Sequence, residues 1–173
     1  TYRNSQELID ISTKFVMKNK SQIKKKLLSH KHLDKPIEFI YYINPYIVFK
    51  KLYNKLKKEN NDLLILGRNN FDINKFSKEE IKEFMSVHSS KGLEAENVIL
   101  INLTDGLYGF PNKIINSKLI EELHPSDKTY LYAEERRLFY VALTRAKNKV
   151  YILVPFFNKS IFIKELKKIM HFK

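Results

Sequence analysis

The run Asn97-Val98-Ile99-Leu100-Ile101-Asn102-Leu103 is apolar at consecutive positions rather than alternate ones. A strand with one wet face alternates apolar and polar residues; one that does not alternate is buried on both faces, which usually means a parallel sheet with helices on each side. Other segments fit that scheme. Ile37 to Ile43 is rich in β-formers, Asp62 to Leu66 is a short apolar run ending at Gly67, and Lys149 to Val154 is a final strand. Phe84 begins a strand read as buried, which breaks at His88 into a polar loop through Glu94.

Between these runs the apolar period lengthens to that of helices. Ser5 is suited to cap a helix from Gln6 to Lys18 with Leu8, Ile11 and Phe15 inward, and Ile23 as a further candidate. Asn44-Pro45 opens a second helix to Lys58 that uses Ile47, Val48, Leu52 and Leu56. Tyr130 to Lys147 gives the longest helical pattern, with Leu131, Leu138, Val141, Ala142 and Leu143 inward and Glu134, Glu135, Arg136 and Lys147 outward. Ile114 to Leu123 predicts a short helix and Ile161 to Met170 a terminal one. The strand-helix-strand rhythm predicts an α/β domain with a mainly parallel sheet flanked by helices.

The 173 residues suffice for one domain, and no apolar run is long enough for a membrane span. The absence of cysteine excludes disulfides and thiolate metal sites and agrees with a cytoplasmic protein. Lysine and arginine number 32 against 19 acids, a net charge of +13, which favours a polyanionic partner; codon bias toward lysine, isoleucine and asparagine is the other source of such a count. Eight lysines and one acid between Lys14 and Lys35 form either a binding surface or a solvated helix face.

Among candidate sites, the loop after Phe84 gathers His88 and Lys91 beside the hydroxyls of Ser86, Ser89 and Ser90. That set suits phosphate and sugar contacts and equally suits a turn that caps its own backbone. Glu94 can accept from a ribose diol or make a surface ion pair. Tyr2 and Arg3 precede the first helix and so lie on a loop, open to a ligand or simply disordered. Arg145, seven residues beyond Leu138, is predicted on the inner stripe of its helix, either snorkelling to the helix end or pointing into a cleft toward phosphate. The Arg68-Asn69-Asn70 cluster reads as surface. His30 and His32 have metal-pair spacing with no further ligands nearby, so no metal site is assigned. The four glycines, at 67, 92, 106 and 109, form no Gly-x-x-x-x-Gly-Lys-Ser/Thr phosphate loop, so the chain cannot cradle Mg-ATP alone in the usual way.

The segment Ser86-Val87-His88-Ser89-Ser90-Lys91-Gly92-Leu93-Glu94 resembles motif V of UvrD/Rep-type superfamily 1 DNA helicases. Glu134-Glu135-Arg136-Arg137-Leu138 through Val141-Ala142-Leu143-Thr144-Arg145-Ala146 resembles motif VI, and Thr1-Tyr2-Arg3 resembles motif IV. Serine stands at 86 where threonine is usual, and motif IV reads Thr-Tyr-Arg-Asn instead of Asn-Tyr-Arg-Ser. The short connection between motifs IV and V leaves no room for the large domain inserted there in UvrD and Rep. That connection, the Thr-Tyr-Arg start and the Gly109-Phe110-Pro111 loop look more like helicase IV.

The resemblance implies the second RecA-like motor domain over residues 1–154, with a helical extension over 155–173. It places this chain at the C-terminal end of a longer protein whose upstream domain holds the phosphate loop, ATP and Mg2+. It implies Tyr2 near adenine, Arg3 and Arg145 at the γ-phosphate, and Glu94 at the ribose. Ser86, His88, Ser89 and Lys91 are implied to grip single-stranded DNA, in a 3′-to-5′ ATP-dependent helicase that is inactive as this fragment alone. RNA polymerase or repair proteins are further implied partners. The alternatives are a non-enzymatic nucleic-acid-binding module and a helicase-like ATPase that remodels a protein complex.

Overall fold

The computed structural model describes residues 3–19, 22, 27–59, 62–114 and 132–171. A five-stranded, wholly parallel sheet runs through it in the order β1-β5-β4-β2-β3. The strands are β1 (Ile37–Tyr42), β2 (Leu63–Gly67), β3 (Phe84–Ser86), β4 (Ala95–Leu100) and β5 (Ala146–Pro155). The helices are α1 (Gln6–Val16), α2 (Pro45–Lys58), α3 (Ala133–Leu143) and α4 (Ile161–His171), with a 3-10 turn at Asp72–Lys75.

The consecutive apolar runs cover both faces as predicted. Val98 and Leu100 of β4, Leu64 and Leu66 of β2 and Val150, Ile152 and Val154 of β5 face a core completed by α1, α3 and α4. Alternate residues, Ile99, Ile65, Leu63 and Leu153, face α2 and the 3-10 turn through Phe49, Leu52, Leu56 and Phe76. Phe15, Phe110, Phe139 and Phe162 meet in tilted and edge-to-face contacts at the centre of the first layer. The Ser5 side chain accepts from Leu8 N and that of Asn44 from Ile47 N, so both predicted caps are formed.

Several expectations are corrected. The α3 helix ends at Leu143, well before Lys147, because Ala146 already pairs with Ala95 of β4 and Thr144 closes the helix on the Tyr140 carbonyl. Arg145 therefore lies in the turn after the helix and extends no stripe. The buried face of α3 is set by Glu135, Phe139, Ala142 and Leu143, while Leu138 is half-buried. In α2, Ile47 is exposed and Phe49 takes the inner position. α1 stops at Val16, and after the turn at 17–19 the described residues 27–36 contain no helix, so Lys14 to Lys35 is not one basic helix. β3 is a short edge strand whose Phe84 and Met85 are half-buried. Most of the helix predicted at Ile114 to Leu123 lies outside the described residues.

Candidate nucleotide and nucleic-acid faces

The segment from Val87 to Glu94 crosses the sheet. It leaves β3 at the carboxyl end, where Val87 N donates to Gly67 O, and enters β4 at the amino end, where Ala95 N donates to Arg145 O. In a parallel sheet these are opposite edges. The motif-like loop thus joins the two ends of the sheet instead of lying at one, and only its first half occupies the carboxyl edge where such folds commonly bind ligands.

At the amino edge, Arg3, Glu94 and Arg145 come together from three separate segments. Arg3 Nε lies 2.5 Å from Glu94 Oε2, and Lys147 Nζ lies 3.2 Å from Glu94 Oε1. Arg145 Nη1 donates to Leu93 O at 3.0 Å and its Nε to Val141 O at 3.1 Å, which anchors the guanidinium on the last turn of α3. Hydrogen bonding from Lys147, with the charge of Arg3 added, holds the Glu94 carboxyl below the usual carboxylate range. Burial, then the neighbouring positive charge of Arg3, lowers Arg145 from its ordinary value. An arginine remains charged through such a shift, so two guanidinium groups are held near one another with one carboxylate between the segments.

Asn4 fixes this arrangement, and the sequence reading missed it. Its buried side chain donates to Thr144 O at 3.1 Å and Ala146 O at 2.7 Å, clamping the residue after Arg3 to both neighbours of Arg145. Its own carbonyl accepts from Ser29 Oγ at 2.7 Å. An asparagine between a site arginine and a helix cap was the available signal. Tyr2 lies outside the described residues.

At the carboxyl edge, residues 87–92 form a compact turn that exposes His88, Ser89 and Lys91. Ser86 is buried and its Oγ lies 2.9 Å from Ser89 Oγ, while Ser90 Oγ donates to Val87 O. The hydroxyls of Ser86 and Ser90 therefore order the turn, and His88 and Lys91 are the groups offered to solvent. Gly92 closes it at φ +92°, a conformation that a side chain would strain.

Arg68 and Glu135, read from sequence as surface and outward, form a buried pair. Arg68 donates three hydrogen bonds to the Glu135 carboxylate at 2.7 to 2.9 Å, and Asn112 N donates to Glu135 Oε2 at 2.9 Å. This links the end of β2 to α3, the helix that runs into the turn carrying Arg145. His32 is turned to Glu7, with Nδ1 2.8 Å from Oε1.

The profile of the UvrD-like helicase C-terminal domain matches residues 77–155, which hold both the crossing loop and α3 with Arg145. Over those residues, somewhat under half its length, this chain carries the signature of the UvrD-like helicase C-terminal domain. It is 32% identical to DNA helicase IV of Escherichia coli K12 over 98% of this chain. It is also 39% identical to the ATP-dependent DNA helicase Rep of Buchnera aphidicola over 46% of the chain. The chain spans only 26% of the first of these relatives and 10% of the second. Among solved structures, the C-terminal domain of a possible DNA helicase from Lactobacillus, strain WCFS1, superposes with a TM-score of 0.58 over 96% of this chain and 94% of that one. At 14% identity that likeness speaks for the fold.

Proposed function

We propose that this chain is the second motor domain of an ATP-dependent DNA helicase or translocase, moving 3′ to 5′, and that it closes an ATP site opened by another domain. The observation that carries the reading is the convergence of Arg3 and Arg145, from segments 142 residues apart (145 − 3), on one edge of the sheet around Glu94. Arg3, Arg145 and Lys147 gather around the Glu94 carboxylate with a net positive charge that fits an anionic ligand, and a triphosphate held by a facing domain supplies one. ATP, with Mg2+, would be held mainly by that domain and would bring the phosphoryl group to be transferred. Arg3 and Arg145 would neutralise charge on the phosphoryl oxygens, as arginine fingers do. An Arg3 that turns toward phosphate releases Glu94 Oε2, leaving that oxygen for a ribose hydroxyl. Tyr2, one residue earlier, would lie beside the base.

The opposite edge is assigned to single-stranded DNA, with His88, Ser89 and Lys91 facing the strand and Ser86 bracing the turn. The crossing loop and the Arg68–Glu135 pair join the two edges, so a shift of Arg145 would be felt at the strand. The test is ATP hydrolysis by the full-length protein with and without single-stranded DNA. Stimulation by the strand is expected, and hydrolysis of equal rate in both conditions would count against the reading.

A further inference from the structure

The carboxyl edge of the sheet carries a pair of aromatic rings that the helicase reading does not use. Phe71, four residues beyond the end of β2, and Tyr108, in the loop after β4, meet edge to face with centroids 5.6 Å apart. Both are about half exposed, 48% for Phe71 and 54% for Tyr108. An exposed aromatic ring offers a face or edge against which another ring can pack.

Their backbone is held firmly. Asn69 Nδ2 donates to Tyr108 O at 3.0 Å, and Asn69 N donates to Asp72 Oδ2 at 2.9 Å, so the residues flanking Phe71 also grip Tyr108. Buried Asn102 donates to Asp72 Oδ1 at 2.7 Å from below. Beside Tyr108, a Cβ on Gly109 would fall 2.1 Å from Thr104 O, so the loop packs backbone against backbone and sets the ring's position. One cation, Lys75, whose Nζ donates to Asn102 Oδ1 at 3.4 Å, and the turn assigned to the strand lie at the same edge. Exposed Lys75 lies on the 3-10 turn next to Phe71, and β3, whose end presents the His88 turn, is the immediate neighbour of β2.

We propose that Phe71 and Tyr108 form a stacking platform for a base of single-stranded DNA passing over the carboxyl edge. The inference rests on the strand-binding reading above and extends it from backbone contacts to base contacts. Aromatic rings fixed in place beside cations are the usual means of holding a single strand without reading its sequence. The rigid backbone means that little order has to be imposed on binding.

The test is fluorescence anisotropy with the full-length protein, comparing an oligothymidylate with an abasic strand of equal length. Replacing both rings, Phe71→Leu with Tyr108→Leu, is expected to weaken oligothymidylate binding about ten- to a hundredfold, in line with the loss of one stacked base. Abasic binding should not change, and Phe71→Tyr with Tyr108→Phe should bind like the parent. A double-leucine variant that binds both strands as the parent does overturns the platform and leaves the strand-binding reading standing. A parent protein that binds neither strand overturns both. A measurement that needs no variant is the emission of a 2-aminopurine base in the bound strand. Quenching is expected on stacking, and unchanged emission at every position of the base analogue overturns the proposal.

Discussion

Replacing Glu135 with alanine should be among the most damaging single changes in α3. The Arg68 and Glu135 side chains are only 9% and 8% exposed, and the carboxylate accepts three hydrogen bonds from Arg68 and one from Asn112 N. Glu135→Ala leaves a buried guanidinium without its counter-charge, a defect that costs about 3–5 kcal/mol. For a domain of this size each kcal/mol lowers the melting temperature by about 2–4 °C, so the expected fall is roughly 6–20 °C. Thermal unfolding followed by circular dichroism reads it directly. The companion change, Arg68→Met with Glu135→Leu, removes both charges and should recover most of the loss, because a buried pair adds little over well-packed apolar groups. A fall below about 2 °C for Glu135→Ala would refute the claim that the pair is buried and mutually dependent.

Glu7 gives a prediction in pH. Hydrogen bonds from the Leu33 backbone and from His32 lower its carboxyl to about 2, below the unfolded value of 4.5. A carboxylate depressed on folding adds stability that is complete above pH 4.5 and disappears as pH falls toward 2. NMR titration should place its midpoint near the lower value, and a midpoint near 4.5 would show that the contact to residues 32 and 33 is not made. Gly109→Ala should destabilise by about 1–3 kcal/mol, since its Cβ meets the Thr104 carbonyl oxygen and backbone has to move. Denaturant unfolding at parental stability would contradict that packing.

The layers of the fold were legible because they rest on local patterns. Consecutive apolar residues at Val98 to Ile101 marked a strand covered on both sides, and Ser5 and Asn44 marked helix starts by the bonds their side chains make. The candidate site residues were legible as motifs, but their placement was not. That His88 and Glu94 lie at opposite sheet edges follows from β3 and β4 being parallel and separated by β2, a fact of long-range register. Arg68, Glu135 and Asn4 were overlooked for a related reason. A charged or amide side chain reads as solvent-facing until its partner is known, and these partners lie 67 and about 140 residues away. The early end of α3 likewise comes from the pairing of Ala146 with Ala95, which no helical propensity within α3 reports.

The account turns on Arg145, and strand-stimulated ATP hydrolysis by the full-length protein carrying Arg145→Ala tests it most directly. The account predicts a fall in turnover of about a thousandfold or more, as for loss of an arginine finger. The melting temperature should stay within a few degrees of the parent, and single-stranded DNA should still bind. Turnover equal to the parent's would contradict the assignment of the Arg3, Glu94 and Arg145 edge to nucleotide.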